Sequence, residues 1–239
     1  LTLILVVAAF ASIVAGTFNG FMTDASGALV HNHVNGSTAT ISLLFIVLAV
    51  IFGLLVYRFE MPLGRATLLG VAGIVGVIAL GLRFPLYAGY DTWMWLLGLY
   101  ILVASVTPVW ILLQPRDYLS SFLLYAMMLA AVVGIVAAHP VIELPAFTSF
   151  EVNGQYLFPA LFVTVACGAI SGFHSLVASG TTSKQLSSER DARLVGFGSM
   201  LIESALGIAS LIAVGYIFTR NGNAFTSQTP TQVLADGLS

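Results

Sequence analysis

Seven stretches of about 20 residues in this chain are nearly free of charge, and about 20 apolar residues suffice to cross the hydrocarbon of a bilayer. They run roughly over 1–21, 39–57, 65–82, 93–113, 119–138, 156–178 and 195–218. Composition agrees with the runs. Hydrophobic residues make up 59% of the chain and charged residues 8%, with a mean hydropathy of +1.01. A soluble domain carries about 25% charged residues and must present water with a polar exterior. The fold class expected is therefore all-α, a polytopic transmembrane helix bundle of about seven spans forming one transmembrane domain over 1–239.

The charges that remain fall in the loops and suggest an orientation. With seven spans the loops alternate sides, and cytoplasmic loops gather Lys and Arg. One side holds Arg58, Arg65, Arg116, Lys184, Arg190 and Arg193; the other holds Arg83 and Arg220 with Asp24, Asp91, Glu143, Glu151 and Asp236. The arginine-rich loops are expected in the cytoplasm. Net charge is -2, which offers no basic face for nucleic acid. The lone Cys167 can form no internal disulfide. The chain opens at Leu1 inside an apolar run and ends in a polar tail, so it is expected to be a portion of a longer protein.

Several residues could carry chemistry. Residues 166–184 are too polar and too rich in small residues for an ordinary lipid-facing span. Gly168 and Gly172 form a GxxxG pair, while Ser171, His174, Ser175, Thr181 and Thr182 put polar atoms at membrane depth. A helix broken near 168–182 would expose backbone to a substrate, as in secondary transporters; the alternative is a packed helix ending in a capped loop. Glu203 is the acidic residue placed well inside a span, about 12 Å past Val195 at 1.5 Å per residue. A carboxyl there is costly and points to function. Counting back from Ser183 puts His174 about 13 Å from its own helix end, a matching depth. Such a pair is expected to take up and release a coupling proton.

Other features read as structural. Gly70, Gly73 and Gly76 suggest a packing face on the third span. Pro108 is expected to kink the fourth span and Pro115 to end it, with Arg116 beside it and Asp117 capping the fifth. The outer loops 22–38 and 139–155 are expected to be long and irregular. His31 and His33, near Asp24, are too few for a metal site, and Asn35-Gly-Ser37 fits a glycosylation sequon too short to carry weight. No metal or cofactor is expected, and no nucleophile constellation suggests an enzyme.

Three blocks together resemble one family. Phe158-Pro-Ala-Leu-Phe-Val-Thr-Val-Ala-Cys-Gly-Ala-Ile-Ser-Gly-Phe-His-Ser-Leu-Val-Ala-Ser-Gly-Thr-Thr-Ser-Lys184 strongly resembles the signature of the carbon starvation protein A family. Pro108-Val-Trp-Ile-Leu-Leu-Gln-Pro-Arg-Asp-Tyr-Leu-Ser120 and Met200-Leu-Ile-Glu-Ser204 agree with it, in the same order. The resemblance is good over 100–220 and weaker before. It implies a bacterial or archaeal inner-membrane transporter induced when carbon runs short. It further implies uptake of peptides or pyruvate coupled to protons, and a place in the amino acid–polyamine–organocation superfamily. The competing reading is a membrane-embedded nutrient sensor without transport, which would want a soluble output domain.

Overall fold

In lipid, apolar side chains gain little from each other's company, so helices associate where small residues let backbones approach. That rule accounts for the packing in the computed structural model, which describes residues 2–23, 28–139, 141, 149–152, 154–163, 174 and 177–221. Contacts divide the chain into two compact units, Leu1–Ala126 and Met127–Ser239.

The first unit contains α1 (Thr2–Phe18), a hairpin of β1 (Phe21–Thr23) and β2 (Leu29–His31), α2 (His33–Tyr57), α3 (Leu63–Arg83) and α4 (Tyr90–Val106). It also takes in the start of α5 (Leu113–Ala138). α2 and α3 form an antiparallel pair whose core is Phe52, Ala66, Ile74 and Leu119. Gly70 lies at that contact: a Cβ there would sit 2.7 Å from Leu119 Cδ2. At Gly73 it would meet Leu48 Cδ1 at 2.6 Å, but Gly76 faces nothing within 4 Å. Two of the three expected glycines therefore pack and the third does not. Ala15, Ala39 and Trp93 make a second core between α1, α2 and α4, with the Phe18 ring edge-on to Trp93 at 5.2 Å. Large apolar residues on the outer faces, such as Leu68, Val75 and Leu102, stay exposed, as suits a lipid-facing surface.

Among the described residues, four helices are long and apolar enough to cross a membrane: His33–Tyr57, Leu63–Arg83, Leu113–Ala137 and Asp191–Ile217. Ile4–Phe18 and Tyr90–Val106 are shorter apolar helices, and most of the expected sixth span lies outside the described residues. The chain is an all-α membrane-type bundle.

Several expected boundaries move, each for a local reason. α2 begins at His33, not near 39, because the Asn32 side chain accepts the Asn35 N–H at 3.2 Å as an N-cap. The polar residues that follow do not interrupt the helix. Thr38 and Ser42 donate back to Val34 O and Thr38 O, each at 2.8 Å. The described part of the expected irregular loop 22–38 is thus largely hairpin and helix. α4 stops at Val106 instead of bending at Pro108 and running to 113. α5 starts at Leu113, which puts Pro115 in its first turn, where a missing N–H costs no helical bond. Pro115 therefore starts α5 rather than ending α4, and Asp117 is not its cap.

The polar end of this unit is tied by a compact set of hydrogen bonds. Thr40 Oγ1 donates to Phe84 O and accepts from Leu86 N–H, both at 2.9 Å. Leu86 N–H also reaches Gly36 O at 3.1 Å, and Gly20 N–H reaches Ala88 O at 3.0 Å. Asn35 Nδ2 donates to Asn19 O at 2.9 Å. At the opposite end, Tyr57 Oη donates to Gln114 Oε1 at 3.0 Å and the Thr67 and Tyr118 hydroxyls are 2.9 Å apart. Arg58, Arg65 and Arg116 therefore share one end of the unit, and Arg83 and Asp91 lie toward the other.

The second unit holds the rest of α5 and a short hairpin of β3 (Glu151–Val152) and β4 (Gln155–Tyr156). A π-helical turn Leu157–Leu161 follows, and a second π-helical turn, Ala178–Thr182, leads into a helical turn Ser183–Gln185. The long α6 (Asp191–Asn221) completes it. α6 starts four residues before the expected 195, with Asp191 in its first turn favouring the positive end of the helix dipole.

Candidate functional site

Among the described residues, the longest apolar helix that carries a carboxyl near its middle is α6. Glu203 lies close to the centre of the stretch Asp191–Ile217, about 18 Å from Asp191 along the axis. This is deeper than a count from Val195 gives, because the helix starts earlier. The serines of α6 turn back on the helix. Ser204 donates to Met200 O at 2.9 Å, Ser210 to Leu206 O at 2.8 Å, and Ser199 to Val195 O. Glu203 instead reaches out of α6 to His174.

The contact is His174 Nε2 to Glu203 Oε2 at 2.8 Å, with the two side chains 45% and 46% exposed. One proton lies between the two atoms. Either the imidazole N–H donates to the carboxylate, or a protonated carboxyl donates to the neutral ring. Charge-assisted bonds of this type are about twice as strong as neutral ones. The two arrangements differ only in which side chain holds the shared proton, so a proton can pass between His174 and Glu203 with little movement.

Close in sequence to His174 the chain widens into the π-helical turn Ala178–Thr182. Ser183 N–H reaches Ala178 O, and Val177, Thr182 and Ser183 keep right-handed helical torsions. The described end of the expected break is thus wound, with a wider bore than an α-helix; such turns recur at functional sites. Thr181 and Thr182 lie on this turn, half-buried. Gly168, Ser171, Gly172 and Ser175 lie outside the described residues.

The remaining candidates belong to the first unit. Arg116 binds its neighbour Asp117 through Nε at 3.2 Å and Nη2 at 3.0 Å. Pro108 follows the end of α4, and the buried Pro115 packs on Gly53, where a Cβ would meet Pro115 Cγ at 2.8 Å. His31 packs its ring against Tyr87 at 4.4 Å, and His33 Nδ1 is 3.4 Å from Ser37 Oγ. Asn35 is buried with its amide committed to Asn19, which leaves the sequon no accessible nitrogen. The hydrogen-bonded end formed by Asn19, Asn35, Gly36, Thr40 and Leu86 went unseen in the sequence. Its one local signal is Asn32, a capping residue just ahead of the helix.

Comparison with known proteins places these features. The family described as carbon starvation protein CstA matches residues 1–237. The chain is 39% identical over 178 residues to the peptide transporter CstA of Mycobacterium tuberculosis, covering 67% of this chain and 23% of that protein. It is 46% identical over 147 residues to the peptide transporter CstA of Escherichia coli, covering 59% and 20%. It is 44% identical over 137 residues to the pyruvate/proton symporter BtsT of Escherichia coli, covering 55% and 19%. The aligned stretches thus amount to about a fifth of these relatives' length. No solved structure matches. With a family match over nearly its whole length, the chain belongs to the carbon starvation protein CstA family.

Proposed function

We propose that this chain is part of a secondary active transporter that takes up a small carboxylate-bearing nutrient, pyruvate or a short peptide, together with a proton. The His174–Glu203 pair is the coupling site in this reading. The observation that carries it is the 2.8 Å contact between an imidazole and a carboxyl near the middle of an apolar helix. Ionisable groups at that depth are costly and mark ion paths. The names of the relatives, peptide transporter CstA and pyruvate/proton symporter BtsT, support the same substrate classes.

The Glu203 carboxylate and the substrate carboxylate compete for one His174 imidazolium, and a proton taken up by Glu203 removes the first competitor. When Glu203 is protonated, His174 is released to meet an anion; when the substrate leaves, Glu203 returns and gives up its proton. Ser171, Gly172, Ser175, Thr181 and Thr182 line the substrate side, the hydroxyls binding polar atoms and the glycine letting the substrate approach the backbone. The whole chain acts as one transport unit in the inner membrane, with the loops bearing Arg58, Arg65, Arg116, Lys184, Arg190 and Arg193 in the cytoplasm. The test is uptake of labelled pyruvate and of a dipeptide into proteoliposomes holding the full-length protein, with one ion gradient imposed at a time. A proton gradient alone should drive accumulation. Accumulation under a sodium gradient with no proton gradient would overturn proton coupling.

A further inference from the structure

The arginine-bearing end of the first unit has a feature that transport does not use. α2 closes at Arg58, whose backbone N–H reaches Leu54 O at 2.9 Å, and Arg65 lies in the first turn of α3. The start of α5 is drawn against these helices by Tyr57–Gln114, by Thr67–Tyr118 and by Pro115 on Gly53. On α5, positions 114, 115, 118 and 119 share the packed face. Arg116 and Asp117 fall between them and turn away, 39% and 62% exposed. The Asp117 carboxylate takes the Nε and Nη2 of the Arg116 guanidinium, and the Tyr100 hydroxyl also interacts with it. Arg58 and Arg65 are exposed and have no carboxylate partner among the described residues. Trp110 and Tyr57, in ring contact at 5.9 Å, flank them, 43% and 50% exposed.

We propose that Arg58 and Arg65, with Arg116 beside them, form a binding site for the phosphodiester of an acidic phospholipid. All three lie at ends of apolar helices, which is the depth of the headgroup phosphates. Guanidinium groups match a phosphate bidentately, and Trp and Tyr settle at the same interfacial level. Basic clusters between helix ends on the cytoplasmic side hold anionic headgroups in this way. The Arg116–Asp117 pair holds one guanidinium in a fixed pose, while Arg58 and Arg65 supply unneutralised charge. The site depends on the helices crossing a bilayer and not on the coupling role of His174 and Glu203.

The test uses the intact protein, purified in a neutral detergent and titrated with phosphatidylcholine vesicles with or without phosphatidylglycerol, bound lipid being counted by native mass spectrometry. The R58Q/R65Q/R116Q variant should bind phosphatidylglycerol at least about tenfold more weakly, with phosphatidylcholine unchanged. R83Q, at the other end of the unit, should bind as the parent does. Should the triple variant fail to fold, R58Q/R65Q carries the same readout, since neither side chain bonds to the described fold. Inorganic phosphate at the same concentration should not displace the lipid. Unchanged phosphatidylglycerol binding in these variants, or displacement by inorganic phosphate alone, overturns the proposal.

Discussion

Gly70 and Gly76 lie six residues apart on α3, and they differ in what a side chain would meet. Gly70→Val drives a branched side chain into Leu119 and Phe52, whereas Gly76→Val enters open space. Overpacking of this type costs about 1–3 kcal/mol. The first variant should lose that much stability in a detergent unfolding titration, and the second should stay within about 0.5 kcal/mol. The sequence could not separate them, because residues six apart on a helix are turned well away from one another and only the neighbouring helix decides which face is used. Gly172 poses the same question nearer the proposed site. If it meets a substrate or a close helix, Gly172→Val should abolish uptake or insertion, and a fully active variant would show that this face meets lipid. His174 and Glu203 were easier to find. A charge inside an apolar run has few bland explanations, but the matching depths counted from 183 and 195 do not hold, because the helix starts at Asp191 and puts Glu203 about 18 Å along it.

At the scale of elements, long apolar runs were legible and polar helix ends were not. α2 begins six residues before the expected 39, because Asn35, Ser37 and Thr38 read as loop. In the fold Ser37 and Thr38 bond within their own helix, Asn35 bonds Asn19 O and Thr40 bonds Phe84 O, so the backbone stays helical through them. α4 and α5 were misjointed for the opposite reason. Pro115 reads as a terminator, but a proline in a first turn is compatible with helix. The Thr40 hydroxyl bridges Phe84 and Leu86, so Thr40→Val should loosen that end by about 0.6 kcal/mol, with about 1.7 as an upper value. Hydrogen exchange should be faster at Leu86, whose N–H loses one of its two acceptors. Thr38→Val should leave it unchanged, because Thr38 bonds only within its own helix. Equal exchange at Leu86 in Thr40→Val and the parent would remove the bridge from the account.

For the whole molecule, orientation rests on charge and the coupling site on one contact. The alternation of basic loops was legible because it needs only the count of spans. From the same count we propose that Lys184, Arg190 and Arg193 lie on the cytoplasmic side. Cysteines at those positions, with Cys167 replaced, should resist an impermeant thiol reagent added outside intact cells; labelling there would reverse the topology. The family blocks were legible as well, since three of them occur in order along the chain. The polar lock between 19–40 and 84–88 was not, because it joins segments far apart in sequence through backbone atoms that carry no residue signature. The central claim is that Glu203, in contact with His174, carries the coupling proton. Its most direct test is proton-driven uptake of labelled pyruvate and dipeptide by the full-length transporter bearing Glu203→Gln, a change that keeps shape and removes titration. Gradient-driven accumulation should fall at least about tenfold, the scale of one lost charge-assisted bond, while exchange of substrate across the membrane persists. Accumulation at the parent's level with the parent's pH dependence would contradict the account.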